Sequence, residues 1–275
     1  DEVWTDRPAL VHQPADVLKD EFNGEATASK LARVREQMEK EEAQYHIIST
    51  LDDIAWILNV RGNDIPHVPV VLSFLVIGKE NAMWFVEENA LSDAVKEMAA
   101  ECGVTVRPYE DVYAYAATIP EHSSVLLDKR KVNYRITNAL SETIHIVSKA
   151  NPSQLMKAIK NEIELENTRK AHLLDGIAVT KFMYWLKKNV GKIPMDEVSV
   201  SDYLQSLREQ MEGYRDISFD TIAGYNANAA MMHYKAEPDT AAKLEPQGML
   251  LVDSGGHYDT GTTDITRTFV LGPIS

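Results

Sequence analysis

Cysteine is nearly missing from this chain, and so is any segment suited to a bilayer. Cys102 is the single cysteine in 275 residues, so no disulfide can close within the chain. A reducing cytosol fits that usage, as does a secreted protein without disulfides. The longest apolar stretch, residues 68–77, is too short to span a membrane and is interrupted by Pro69 and Ser73. It predicts a buried strand. The first residues show no basic segment followed by an apolar one, the pattern of a secretory signal. Low-complexity tracts and internal repeats are absent, as are a phosphate-binding loop, a nucleophile elbow and a cysteine-based zinc motif. Positive charge is in deficit: 28 Lys and Arg stand against 42 Asp and Glu, a net charge of −14 spread along the chain. Binding to nucleic acid or to an anionic membrane through bulk charge is thereby excluded.

What remains is an ordinary globular composition, 44% hydrophobic and 25% charged, at a length that suggests about two domains. Residues 1–22 carry Pro8 and Pro14 with little periodicity and predict an extended tail. From there to about residue 150 helices and strands alternate. Helices are expected at 29–44, 52–58, 90–101, 111–117 and 134–141, and strands at 46–49, 70–77, 83–86, 104–106, 124–127 and 145–147. Such alternation indicates an α/β layer domain. Asn151-Pro152 marks the break to the next domain. There the pattern changes to a long helix at 162–189, with Ile163, Ala171, Leu174, Ala178 and Phe182 on its apolar side. A second helix at 200–211, capped by Ser199 or Ser201, and strands at 217–223, 249–254 and 263–270 complete an α+β unit.

The most informative segment runs from Leu250 to Thr268. The apolar triplet Leu250-Leu251-Val252 delivers Asp253 and predicts its burial. A Gly-rich turn follows, and a Thr-rich strand then delivers Asp264. With the turn centred on Tyr258 and Asp259, the two aspartates lie opposite each other on antiparallel strands and share a face. Like charges placed so destabilise a hairpin. A hard divalent cation between them removes the repulsion.

These residues resemble a known family. The string from Asp253-Ser254-Gly255-Gly256 to Gly261-Thr262-Thr263-Asp264-Ile265-Thr266-Arg267-Thr268 is similar to the first metal-binding segment of Xaa-Pro aminopeptidases. Those are proline-specific members of the creatinase and methionine-aminopeptidase family, the pita-bread metallopeptidases. Ser218-Phe219-Asp220-Thr221-Ile222 and His233-Tyr234 resemble the family's segment before the metal strands. Residues 52–65 resemble the second domain of its three-domain, cytosolic type, and Trp4-Thr5-Asp6-Arg7-Pro8 the close of the first. The resemblance runs along the whole chain, with its motifs in the family's order.

It implies an α/β creatinase-N-like domain at 23–152, preceded by the tail of a first domain at 1–22. The N-terminal half of a pita-bread catalytic domain then follows at 153–275. It implies two divalent ions, commonly manganese, that activate a water for attack on the bond before proline. Asp253 is the expected chelator of one metal and Asp264 the expected bridge between two. His233 is the expected contact to substrate and transition state. The family's remaining ligands, one His and two Glu, are not in the sequence up to Ser275. The chain therefore reads as a piece of a longer enzyme, cut at both ends and inactive by itself. Peptides with proline second are the implied substrates, the cytoplasm the implied location, and a homodimer the implied assembly.

Other readings of the same residues stay open at this point. Pita-bread domains that have lost ligands serve as non-catalytic peptide- or protein-binding modules. Asp253-Ser254-Gly255 and Asp259-Thr260-Gly261 each fit the aspartic-protease signature, although two such aspartates six residues apart would have to face each other from one hairpin. Without the family, His233 reads as a core histidine, Met231-Met232 as packing, Asp259 as a solvated turn residue, and Arg61-Gly62-Asn63-Asp64 with His67 as a structural loop with a capping Asp. The histidines at 12, 46, 122, 145, 172 and 257 show no close metal-ligand spacing.

Overall fold

A computed structural model describes residues 3–274, which divide into two compact units, the first ending at Asn161 and the second beginning at Glu162. In the first unit the chain runs β1 (Asp16–Val17), α1 (Asp20–Asn23), α2 (Thr27–Lys40), β2 (Tyr45–Ile48), α3 (Leu51–Leu58), β3 (Val60–Arg61), β4 (Ser73–Gly78) and β5 (Ala82–Val86). It continues through α4 (Asp93–Glu101), β6 (Val104–Arg107), α5 (Asp111–Ala116), β7 (Ser124–Leu127), α6 (Tyr134–Ala139), β8 (His145–Ser148) and α7 (Pro152–Ala158). Six strands form one mixed sheet in the order β6-β5-β4-β2-β7-β8, antiparallel at β2/β4 and β4/β5 and parallel elsewhere.

Strand alternation, with a helical layer on each face, explains why the inner strands β4, β5 and β7 are apolar on both faces. Ile48, Leu75, Ile77, Trp84, Val86 and Leu126 face a layer holding α2, α3 and α4. Their neighbours Ile47, Phe74, Val76, Phe85, Val125 and Leu127 face the opposite layer, with α5 and α6. The strand expected at 70–77 begins only at Ser73, because Val70 and Val71 are spent against the Gly62 turn. A Cβ on Gly62 would lie 2.6 Å from Val71 Cγ2.

His46 sits inside this sheet, fully buried. Its Nδ1 donates to the Leu126 carbonyl at 3.0 Å, and its Nε2 has no hydrogen-bond partner among the described residues. Burial lowers its pKa to about 4, against the weaker opposing effects of the Leu126 bond and of the Asp53 charge. A folded-state value below the ordinary 6.5 means that the unfolded chain takes the proton first as pH falls. The contribution is fully present above about pH 6.5 and is lost between there and pH 4, at most about 3 kcal/mol. Denaturant melts of the wild type from pH 7 to 4 are expected to show this loss, and His46→Leu is expected to flatten it. An unchanged slope in that variant would reassign the acid sensitivity to another group.

The divide falls after Asn161, beyond the break expected at 152. Ion pairs and hydrogen bonds tie α7 to the first unit. Lys157 Nζ lies 2.6 Å from both Asp52 Oδ2 and the buried Asp53 Oδ1, and Asn151 Nδ2 reaches Asp53 Oδ2 at 3.1 Å. Burial alone would raise the Asp53 pKa, but the bonds from Lys157, Thr50 and Asn151 outweigh it and hold the carboxyl below its usual range. The N-terminal stretch also joins this unit, through the pairing of β1 with β3. The Asp64 carboxylate accepts the backbone N–H of Gln13 at 2.6 Å and of Leu72 at 2.7 Å. Asp64 therefore pins two chain segments rather than capping a helix.

The second unit opens with α8 (Glu162–Asn189) and α9 (Glu197–Arg208). Helix α9 starts earlier than its apolar pattern, which begins at Val200, because Asp196 rather than a serine caps it. Asp196 Oδ1 accepts the Ser199 N–H at 2.7 Å, and Ser199 Oγ accepts the Asp196 N–H at 2.9 Å, a reciprocal capping box. Along α8 the buried stripe is Ala171, Asp175, Ala178, Phe182 and Leu186, while Ile163 is exposed.

Six further strands follow: β9 (Tyr214–Ile217), β10 (Ile222–Tyr225), β11 (Met249–Ser254), β12 (Gly256–Tyr258), β13 (Gly261–Thr262) and β14 (Ile265–Val270). They build two three-stranded sheets, β10-β11-β14 and β13-β12-β9. The strand expected at 217–223 is thus two strands, and the one expected at 263–270 begins only at Ile265. At residues 218–221, at Gly255 and at 263–264 the chain turns a corner and crosses from one sheet to the other. Phe182, Leu186, Val200, Leu204, Ala223, Leu250, Val252 and Phe269 form the core of the first of these sheets with the helices.

Candidate metal centre

The register places the two aspartates diagonally rather than opposite. Tyr258 pairs with Gly261, so the turn is Asp259-Thr260, one residue later than expected. Asp253 therefore pairs with Thr266 and Ser254 with Ile265, leaving Asp264 at the corner just before β14. An offset of two in the pairing preserves the alternation of faces, whereas an offset of one would have reversed it. Thr266 Oγ1 donates to Asp253 Oδ1 at 2.8 Å and so orients that carboxylate. Asp253 is half-buried rather than buried. Alternation sends Leu250, Val252 and Ser254 into the core and Asp253 to the other face. Asp264 is exposed.

Three contacts fix the corner itself. Ser218 N–H donates to the Gly255 carbonyl at 3.2 Å, Ser218 Oγ donates to the Thr263 carbonyl at 2.9 Å, and the Thr263 N–H donates to the Gly256 carbonyl at 2.9 Å. Beneath it lies a buried polar cluster that sequence reasoning missed. Asp175 and Arg208 are both fully buried, with Arg208 Nε 2.5 Å from Asp175 Oδ1 and Nη2 3.1 Å from Oδ2. The same carboxylate accepts from Tyr258 Oη at 3.0 Å and from Thr263 Oγ1 at 2.7 Å, while Thr263 Oγ1 accepts the Gly256 N–H at 2.9 Å. Burial and the Asp175 charge raise the Tyr258 hydroxyl pKa, so it stays a donor. Asp175 thereby grips both sides of the hairpin, immediately before Asp264. The signal was present in the sequence: Asp175 sits in register with Ala171, Ala178 and Phe182, a charge inside the apolar stripe of a helix.

His233 lies on the loop that leaves β10. It is exposed and adopts a left-handed φ of 57°, which rules out a core histidine. Met231 and Met232 are 53% and 93% exposed, so they do not pack in the core. No hydrogen bond or ion pair joins His233 to Asp253 or Asp264 among the described residues. The strands behind them are adjacent, with Ile222 of β10 paired to Asp253.

Asp259 is not merely solvated. Arg215 Nε lies 2.6 Å from its Oδ1, and its N–H donates to Gly213. That ion pair and the hairpin geometry give no facing pair of aspartates sharing a proton, which removes the aspartic-protease reading.

Carboxylate oxygens suit a hard divalent cation, so Asp253 and Asp264 fit the donor chemistry that the resemblance implies. Among the described residues no group of three or more His, Cys, Asp or Glu side chains could hold a metal. Two carboxylates alone would not close a coordination sphere.

Fold and site together define a two-part chain: an α/β layer domain followed by an α+β unit that carries a carboxylate pair at a sheet corner. Residues 6–164 match the Creatinase/Prolidase N-terminal domain, and residues 166–275 match Metallopeptidase family M24. The chain belongs to this creatinase-type metallopeptidase family, with a creatinase N-terminal domain followed by pita-bread-type structure. Among its relatives, a probable Xaa-Pro aminopeptidase P of Neurospora crassa is 35% identical over 99% of this chain and 42% of its own length. Xaa-Pro aminopeptidase 1 of Dictyostelium discoideum is 37% identical over 93% of this chain and 41% of its own. The X-prolyl aminopeptidase of Caenorhabditis elegans, described as a cytosolic enzyme with a di-nuclear active site, superposes with a TM-score of 0.92. Its identity is 31%, over 100% of this chain and 46% of that one. The chain thus spans less than half the length of these relatives. The Pyrococcus horikoshii prolidase, 21% identical with a TM-score of 0.66, shares the fold. No helix among the described residues is long and apolar enough to cross a membrane.

Proposed function

We propose that this chain is the portion of a dinuclear-metal aminopeptidase that bears the first two metal ligands. The whole enzyme would remove an N-terminal residue that precedes proline. The observation that carries this reading is the diagonal placement of Asp253 and Asp264 across the corner of β11 and β14, in a chain similar throughout to Xaa-Pro aminopeptidases. Asp253 and Asp264 would hold the metals, manganese by the resemblance. Metal bound there supplies a nucleophilic water at neutral pH and polarises the scissile carbonyl. Thr266 orients Asp253, and the Asp175 cluster sets the corner next to Asp264. His233 would donate from its exposed loop to the substrate near the scissile bond, an electrostatic and positional role. A cytoplasmic location is supported by the description of the Caenorhabditis elegans relative, and a homodimer by the family resemblance.

A titration with manganese tests the reading. Two carboxylates should bind it weakly, with Kd above about 0.1 mM. Asp253→Asn with Asp264→Asn should abolish the binding. The 275-residue chain by itself should release no free amino acid from an Xaa-Pro peptide. Manganese binding that survives the double substitution would refute the ligand assignment. Turnover that Asp264→Ala removes would show instead that two carboxylates suffice. Peptide binding by this chain without turnover is the one sense in which a non-catalytic binding module describes it, favoured by the lack of a third metal-ligating side chain at the corner.

A further inference from the structure

Glu197, the first residue of α9, is completely buried, yet no Lys or Arg is paired with it among the described residues. Its carboxylate is satisfied from the loop that carries His233. Oε1 accepts the N–H of Tyr225, the last residue of β10, at 2.7 Å. Oε2 accepts the N–H of Ala242, where the loop returns to α9, at 2.8 Å. From the middle of the loop, Tyr234 Oη donates to Oε2 at 2.7 Å, and Asn228 Nδ2 reaches both oxygens at 3.0 and 3.2 Å. The N-terminal end of α9 favours the negative charge, and charge-assisted bonds are stronger than neutral ones. One carboxylate therefore holds the start, the middle and the end of the loop.

We propose that Glu197 is a positioning residue for substrate contact: it clamps loop 226–241 so that His233 is presented to a peptide at the Asp253–Asp264 corner. This rests on the assignment of His233 to substrate contact made above. His233 adopts a left-handed φ of 57°, uncommon for a non-glycine residue. Its sequence neighbour Tyr234 ties it to Glu197. Burial and the Glu197 charge push the Tyr234 hydroxyl up to about 12, so it remains a donor throughout the working range of pH. The geometry also demands a carboxylate. The Tyr225 and Ala242 N–H groups lie on different oxygens and neither can turn round. A glutamine in either orientation would set its NH2 against one of them.

The test uses the 275-residue chain with Glu197→Gln and Tyr234→Phe. Amide exchange at Tyr225 and Ala242 and the His233 ring resonances are read by NMR. Glu197→Gln should accelerate exchange of at least one of those amides by about tenfold or more, as for a buried donor left unpaired. It should also shift the His233 ring signals, while Leu250 and Val252 exchange as before. Tyr234→Phe, which removes one hydroxyl, should give the same changes to a smaller extent and covers the case in which Glu197→Gln does not fold. A second arm titrates Ala-Pro-Ala in the presence of manganese. Glu197→Gln should weaken binding about tenfold in the wild-type background and not at all in a His233→Ala background. Equal weakening in both backgrounds, or exchange and ring signals that neither variant moves, overturns the proposal. If the wild-type chain does not bind Ala-Pro-Ala while the exchange arm behaves as expected, the substrate reading fails and the clamp on the loop stands.

Discussion

Replacing Arg208 with Leu should cost the second unit about 3–5 kcal/mol, because it leaves the Asp175 carboxylate buried without its cation. That is a large share of the roughly 5–15 kcal/mol that holds a domain together. Amide exchange along residues 171–186 is expected to rise toward that of an unfolded chain, and Trp185, which stacks on Tyr203 at 3.8 Å, gives a fluorescence signal within the same unit. The double variant Asp175→Leu with Arg208→Leu separates stability from positioning. Replacing both ions with apolar side chains should recover much of the stability. It should not recover manganese binding, because Tyr258 Oη and Thr263 Oγ1 lose the acceptor that ties the hairpin down. A double variant that is both stable and fully competent for the metal would show that the buried pair plays no part in placing Asp264.

Gly255→Ala and Gly256→Ala, one residue apart, should differ sharply. A Cβ on Gly255 would lie 2.0 Å from the Thr263 carbonyl oxygen, 2.8 Å from its carbon and 2.3 Å from Ser218 Oγ. Two of those three atoms are backbone, so the corner has to open. We expect a loss of about 3 kcal/mol or more, at the upper end of overpacking effects. Manganese binding should go with it, because Thr263 directly precedes Asp264. A Cβ on Gly256 meets only ring carbons of Tyr214 and Tyr258 at 3.1 Å, which can give by a few tenths of an ångström. Its cost should be about 1 kcal/mol, with metal binding kept. Thermal melts and a manganese titration of the two variants settle the matter. Equal behaviour would mean that the corner is softer than its contacts indicate.

Much of the first unit was legible in the sequence, because its inner strands are short, apolar on both faces and separated by periodic helices. The strands expected at 70–77 and 83–86 correspond to β4 and β5. The long helix at 162–189 was equally plain, being longer than its neighbours and free of Pro. The D-S-G-G to T-D-I-T-R-T string carried the family and both carboxylates. Local pattern failed where one side chain overrode it. Asp196 began α9 three residues ahead of its first fully buried apolar position, Val200. Met231, Met232 and His233 are apolar or ambiguous residues that an anchored loop holds out in solvent.

Hydrophobic period and motif chemistry are local properties, and by themselves they gave most element types, the family and Asp253 and Asp264 as the candidate pair. Register and partnership are long-range properties, which only the folded chain decides. The turn settled on Asp259-Thr260, with the corner contacts of Ser218, Gly255 and Thr263 holding that register, and this made the aspartates diagonal. Asp175 met Arg208, and Glu197 met both ends of the His233 loop, across separations of 28 to 45 residues in sequence. No periodicity reports contacts over such distances. A charged residue inside an apolar stripe says that a partner must exist, because a buried charge without one is too costly, and folding then selects which partner it is.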